Sequence, residues 1–238
     1  MKLSPDLIWS RRQVVQIMAL SVLSPPRALP TERNIHWALG AVTWVVKAEP
    51  GSPRWEDILA DIAAGGFEGF EPFTTPTLPV NDGNMAKVMN SIGKVALDQY
   101  GIKVGVHPHV GGLIENPRQI DQLMEETDPN YFHFAPDTAQ IWMGGGNPVR
   151  VIEKYKHRVV YLHYKDIRAY HRGLKGYLDN VIELGRGVID FPALHRILKS
   201  VNYKGWITID LDNARISPLE SAKVNRAYID KVLTPIYA

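Results

Sequence analysis

Cysteine is absent from the chain. Thiol nucleophiles, disulfides and cysteine-held zinc or iron–sulfur centres are thereby excluded, and any metal ion must be held by His, Asp and Glu. No apolar run approaches the roughly 20 residues that cross a bilayer, so no integral membrane segment is expected. A basic excess is missing too. The 27 Lys+Arg stand against 25 Asp+Glu, a net charge of +2. Lys2, Arg11, Arg12 and Arg27 against Asp6 place three positive charges in residues 1–30, leaving the remainder at −1. A body so balanced offers no electrostatic footprint for a phosphate backbone, and nucleic acid is not an expected partner. What remains is 238 residues, 45% of them hydrophobic, enough for one large domain with a substantial core.

Residues 1–30 have the parts of an address. Ser10-Arg11-Arg12 precedes the apolar stretch 14–23, and Ser24-Pro25-Pro26 stops it. A charged start, a short apolar run and a breaker make an export signal, and the paired arginines suggest the twin-arginine type. Export to the periplasm is the favoured expectation. The alternative is a helix packed on the body through Val14, Val15, Met18, Leu20 and Leu23. Residues 31–238 form the expected barrel domain.

Beyond residue 30, short β-rich runs alternate with amphipathic helices. Strands are expected at 37–46, 67–71, 103–106, 131–134, 159–162 and 206–209, and helices at 55–64, 84–100, 117–127, 148–155, 191–200 and 218–233. Gly65-Gly66 should end the first helix, and Asn147-Pro148 should open the fourth. The apolar runs are short and nearly continuous, as in parallel strands buried on both faces. These units point to the α/β class and a TIM-type (β/α) barrel with about six recognisable strand–helix units, hence incomplete; a doubly wound open sheet is the alternative. Polar residues follow the apolar runs at Glu71, His107, Asp137, His163 and Asp210, where such a barrel carries its chemistry.

Asp137, His163 and Asp210 form a hard, mixed oxygen–nitrogen set suited to a divalent ion such as Mn²⁺, Mg²⁺, Co²⁺ or Zn²⁺. His107 and His109 share a face if the strand continues through Pro108; otherwise they sit in a kinked loop. Glu115 either folds back over the site or begins the helix at Pro117. Lys165, two residues after His163, is placed to hold a substrate hydroxyl or oxyanion, with a surface pair to Asp166 as the alternative. Trp37, Trp44 and Trp206 are candidates for a sugar pocket or for the core. Gly144-Gly145-Gly146 has the wrong order for a phosphate loop and reads as a turn before Asn147.

The motifs HPHVGGLIE (107–115), DPNYFHFAPDTAQ (128–140), GGGNPVRVIEKYKHRVVYLHYKDIR (144–168), ELGRGVIDFPALHRIL (183–198) and YKGWITIDLD (203–212) resemble the xylose isomerase-like TIM-barrel family. GAVTW (40–44) and AAGGFEGFEPF (63–73) resemble its first two strands. The resemblance implies sugar or polyol isomerase, epimerase or inosose dehydratase chemistry. Asp137, His163, Asp210 and His107 would bind a divalent ion, Asp210 and Glu115 would move protons, and His109, Lys165, Glu71 and Trp44 would contact substrate. An isomerase/epimerase working through an enediolate is the first expectation. An inosose dehydratase-type lyase, or a barrel that binds sugar without turnover, is the alternative.

Three features depart from the family pattern. Gln140 replaces a His, Asp210 replaces a Glu, and the short stretch 72–81 replaces two strand–helix units. Asp210 is one methylene short, and a misplacement of about 1 Å costs about 10²-fold in rate, so Asp210→Glu is expected to gain activity. Asp212 is expected to stand beyond the strand end, apart from the ion. The missing units predict a barrel open between strands 67–71 and 103–106, whose free edges favour association, with a homodimer as one solution.

Overall fold

In the computed structural model, residues 35–40, 55–67, 69–71, 83–100, 103–168, 173 and 175–237 are described below. The expected address at 1–30 and Trp44 lie outside these residues. Strands β1 (Ile35–Gly40), β2 (Gly69–Glu71), β3 (Val104–Val106), β4 (Phe132–Phe134), β5 (Leu162–Tyr164) and β8 (Gly205–Ile209) are all parallel to their neighbours. β6 (Asp166–Ile167) and β7 (Val181–Ile182) form a separate antiparallel pair. The main sheet runs β2-β1-β8-β5, and β3 pairs with β4. Parallel bridges from Phe134 to Val159 and from Asp137 to His163 join the two sheets. The order is therefore β2-β1-β8-β5-β4-β3, with first and last strands side by side, as barrel closure requires. Among the described residues β2 and β3 are not paired with each other; residues 72–82, on which the expected opening turns, lie outside them.

Helices α1 (Trp55–Ala64), α2 (Met85–Tyr100), α3 (Pro117–Glu126), α4 (Thr138–Met143), α5 (Pro148–Tyr155), α6 (Phe191–Ser200), α7 (Pro218–Tyr228) and α8 (Thr234–Tyr237) alternate with the strands. Four of them start the same way. Asn116, Asn147, Asp190 and Ser217 each accept the backbone N–H three residues on, with a proline at the first or second helical position. The side chain satisfies an orphan donor, while proline lacks the N–H that would otherwise be left over. Asn116 and Gln119 complete a reciprocal capping box. The last expected helix, 218–233, is helical throughout but changes from α to π at Ile229–Leu233, and α8 follows it.

The core lies between the strands and this helical layer. Phe134, Leu162, Tyr164, Ile152, Phe191, Leu194 and Ile207 are all fully buried. Strand β5 is buried at all three positions, as a strand covered on both faces must be. It starts later than the 159–162 run suggested, so His163 lies within the strand rather than after it. Trp37 is 4% exposed and stacks on buried His195, which makes it core and not pocket.

Candidate metal centre

The C-terminal ends of β3, β4, β5 and β8 converge on one cluster. His107 follows β3 directly, Asp137 follows β4 by three residues, His163 is the middle residue of β5, and Asp210 follows β8. Ligating atoms of His107, Asp137 and His163 lie within 4.8 Å of one another. His107 Nε2 and His163 Nδ1 are each 3.9 Å from Asp137 Oδ2, and His163 Nδ1 is 3.3 Å from Asp210 Oδ2. Separations of 3.9 Å are too long for hydrogen bonds, and suit atoms that would share an ion between them.

Asp137 is held by helix geometry. Its Oδ1 accepts the Gln140 N–H at 2.9 Å as the N-cap of α4, which leaves Oδ2 facing the cluster. Asp137 Oδ2 and Asp210 Oδ1 are buried and accept no hydrogen bond among the described residues. Buried carboxylate oxygens left so are costly. Together with two imidazoles in one small volume, they fit a divalent cation held by nitrogen and oxygen.

Lys165, just past the end of β5, reaches into the same cluster. Its side chain is 2% exposed, and Nζ lies 2.6 Å from Asp212 Oδ2, 2.8 Å from Asp210 Oδ2 and 3.2 Å from Asp137 Oδ2. Tyr177 donates its hydroxyl to the same Asp212 oxygen. Burial disfavours the Lys165 charge, but the three carboxylates outweigh it and push its pKa well above the ordinary value. Burial likewise opposes the Asp210 charge; Lys165 and His163 overcome it and hold that carboxyl well below the usual range. At Asp137 burial prevails over Lys165 and the pKa is raised. Burial, with His163 and Lys165 nearby, lowers His107 well below its usual value, so the ring is neutral and able to ligate.

The remaining residues singled out from the sequence are placed as follows. The strand ends at Val106, so the kinked-loop alternative holds; the His109 ring bonds to the Val110 carbonyl (2.8 Å) and the Gln140 amide (3.0 Å). Glu115 accepts the Gly111 N–H at 2.8 Å, closing its own loop, and the structure does not draw it into the cluster. Lys165 does not pair with Asp166, whose carboxylate instead accepts the N–H groups of Ile167, Gly185, Gly187 and Ile189. Asp212 does not stand apart, because Lys165 ties it in. Asp210 reaches His163 and Lys165 despite its missing methylene. Glu71 ends β2, paired in register with Gly40.

Helix α4 was not foreseen. Its signal is nonetheless in the sequence: Asp137-Thr138-Ala139-Gln140 has an N-cap residue followed three positions later by Gln, the pattern of a helix start. The glycine run ends that helix. Gly144 caps it and presses on the loop between β3 and α3, where a Cβ would meet the Glu115 carbonyl oxygen at 1.8 Å.

A parallel (β/α) barrel with a His/Asp/His cluster at the C-terminal strand ends defines the class: barrels that carry their site on that face. Within it, the chain belongs to the xylose isomerase-like TIM-barrel family, whose model matches residues 64–232. It is 32% identical over 157 residues to inosose dehydratase of Salmonella typhimurium, covering 61% of this chain and 52% of that protein. To inosose dehydratase of Clostridium botulinum it is 34% identical over 159 residues, with the same coverages. The chain thus spans about half the length of the curated relatives it matches. Among solved structures, a probable 3-DHS dehydratase of Bacillus anthracis, AsbF, superposes with a TM-score of 0.58 at 11% identity, covering 82% of this chain and 99% of that one. The IOLI protein, solved with a bound zinc atom, gives 0.55 at 15% identity, covering 86% and 77%. At these identities the likeness is one of fold.

Proposed function

We propose that this barrel is a metal-dependent lyase of the inosose dehydratase type, acting on a cyclic polyol ketone. The single observation that carries the reading is the His107–Asp137–His163 cluster, with buried oxygens of Asp137 and Asp210 beside it that accept no hydrogen bond among the described residues. The dehydratase outcome, over the isomerase or epimerase expected first, is supported by the name that the curated relatives above share.

His107, Asp137 and His163 would hold the divalent ion, with Asp210 as a fourth ligand. When bound there, such an ion polarises a ketone and its neighbouring hydroxyl and acidifies the C–H between them. Asp210, whose Oδ1 accepts no hydrogen bond among the described residues, would take that proton. Delivery of that proton to the departing β-hydroxyl would release water and give the unsaturated ketone, whereas its return to the neighbouring carbon or opposite face would give an isomer or epimer. Gln140 fixes Asp137 through its backbone N–H and fixes the 107–115 loop through its side chain, which accepts the Val110 N–H at 3.0 Å.

The test is incubation of the purified protein with Mn²⁺ and an inosose, following loss of water by mass and gain of an unsaturated ketone by ultraviolet absorbance. His163→Ala should abolish the reaction. Conversion of ketoses to their epimers, with the inosose untouched, would overturn the lyase reading. Absence of Mn²⁺ uptake would overturn the metal centre itself.

A further inference from the structure

One carboxylate oxygen, Asp137 Oδ2, faces two different kinds of partner. On one side it stands with the His107 and His163 nitrogens; on the other it is 3.2 Å from the Lys165 ammonium. Asp210 is divided in the same way, with Oδ2 at 2.8 Å from Lys165 and 3.3 Å from His163. A divalent ion on the imidazole side would sit next to a buried ammonium, and two cations at such range repel strongly in a poorly screened interior. Lys165 has a third carboxylate, however. Asp212 is its shortest contact at 2.6 Å, lies outside the His/Asp/His cluster, and is steadied by the Tyr177 hydroxyl.

The charges suit this division. Asp137, Asp210 and Asp212 carry three negative charges, which one lysine and one divalent ion together neutralise, with His107 and His163 as neutral ligands. We propose that Lys165 is an exchangeable internal counter-ion of the metal centre. In the metal-free protein it neutralises Asp137 and Asp210 and keeps them gathered. When the ion enters, those two carboxylates pass to it, and Lys165 stays behind on Asp212 and Tyr177. Lys165 therefore weakens metal binding while stabilising the empty site, and Asp212 relieves that competition. The inference rests on the metal centre proposed above.

The two roles predict opposite effects on affinity. Mn²⁺ alone is titrated into metal-stripped wild-type protein and variants by calorimetry at neutral pH, and melting temperatures are recorded with and without the ion. Lys165→Met should bind Mn²⁺ about tenfold more tightly or better, with a lower metal-free melting temperature and a larger rise on adding Mn²⁺. Asp212→Asn should bind it about tenfold more weakly, because the lysine is thrown back on the ligand carboxylates. If Lys165→Met does not fold without metal, Asp212→Asn decides alone. Unchanged or weaker binding by Lys165→Met, or unchanged or tighter binding by Asp212→Asn, overturns the proposal while leaving the metal centre standing. Wild-type protein that takes up no Mn²⁺ removes both.

Discussion

Asp137 has two jobs that substitution can separate. Its Oδ1 caps α4 by accepting the Gln140 N–H at 2.9 Å, and its Oδ2 faces His107, His163 and Lys165. Ser keeps a capping oxygen but has no second oxygen to offer an ion; Ala has neither. Every substitution loses the attraction to Lys165, although that ammonium retains Asp210 at 2.8 Å and Asp212 at 2.6 Å and is never left uncompensated. The loss common to Asp137→Ser and Asp137→Ala therefore cancels in their difference. What remains is the cap, about 1 kcal/mol, or about 2–4 °C in melting temperature for a chain of this size. Both variants should lose stoichiometric Mn²⁺, read by metal analysis after dialysis, and Asp137→Ala should melt below Asp137→Ser by that margin. Equal melting temperatures would refute the capping argument. Retention of the ion by Asp137→Ser would refute the ligand assignment.

Further outcomes follow from other positions. Burial lowers His195 to about 4, so the unfolded chain binds the extra proton first as pH falls. Its contribution is present above the ordinary pKa of 6.5 and is lost between there and about 4, a change of about 3 kcal/mol; His195→Phe should flatten that part of the stability-against-pH curve measured by denaturant titration. Gly144→Ala drives a methyl into the Glu115 carbonyl and should cost about 3 kcal/mol or more by overpacking, with weaker Mn²⁺ binding because the same loop carries His107. Asp166→Asn puts an amide donor among four backbone N–H groups that its carboxylate now accepts, and a loss of about 2–3 kcal/mol is expected in thermal unfolding. Asp210→Glu, expected from sequence to gain activity, should instead lose it, because Asp210 already reaches Lys165 and is only 8% exposed; a higher turnover than wild type would show that the extra methylene is accommodated.

The sequence by itself determined the elements and their order. Hydrophobic period, N-cap residues and prolines placed α1, α5 and α6 to the residue, since those signals act within one turn of helix and need no distant partner. The alternation of strands and helices, and the polar residues after them, likewise marked the barrel and the strand ends carrying His107, Asp137, His163 and Asp210. Only the tertiary structure decided which of those residues meet. Lys165 and Asp212 are 47 positions apart, yet form a buried 2.6 Å contact, and nothing local distinguishes that from a surface pair with Asp166. His109 and Glu115 were left open between the site and their own loop, and the structure gives them hydrogen bonds to Gln140 and Gly111 that no local signal announced. Local periodicity fixes what a segment becomes; which side chain fills a shared volume depends on how β3, β4, β5 and β8 converge, and that is settled by packing between segments far apart in the chain.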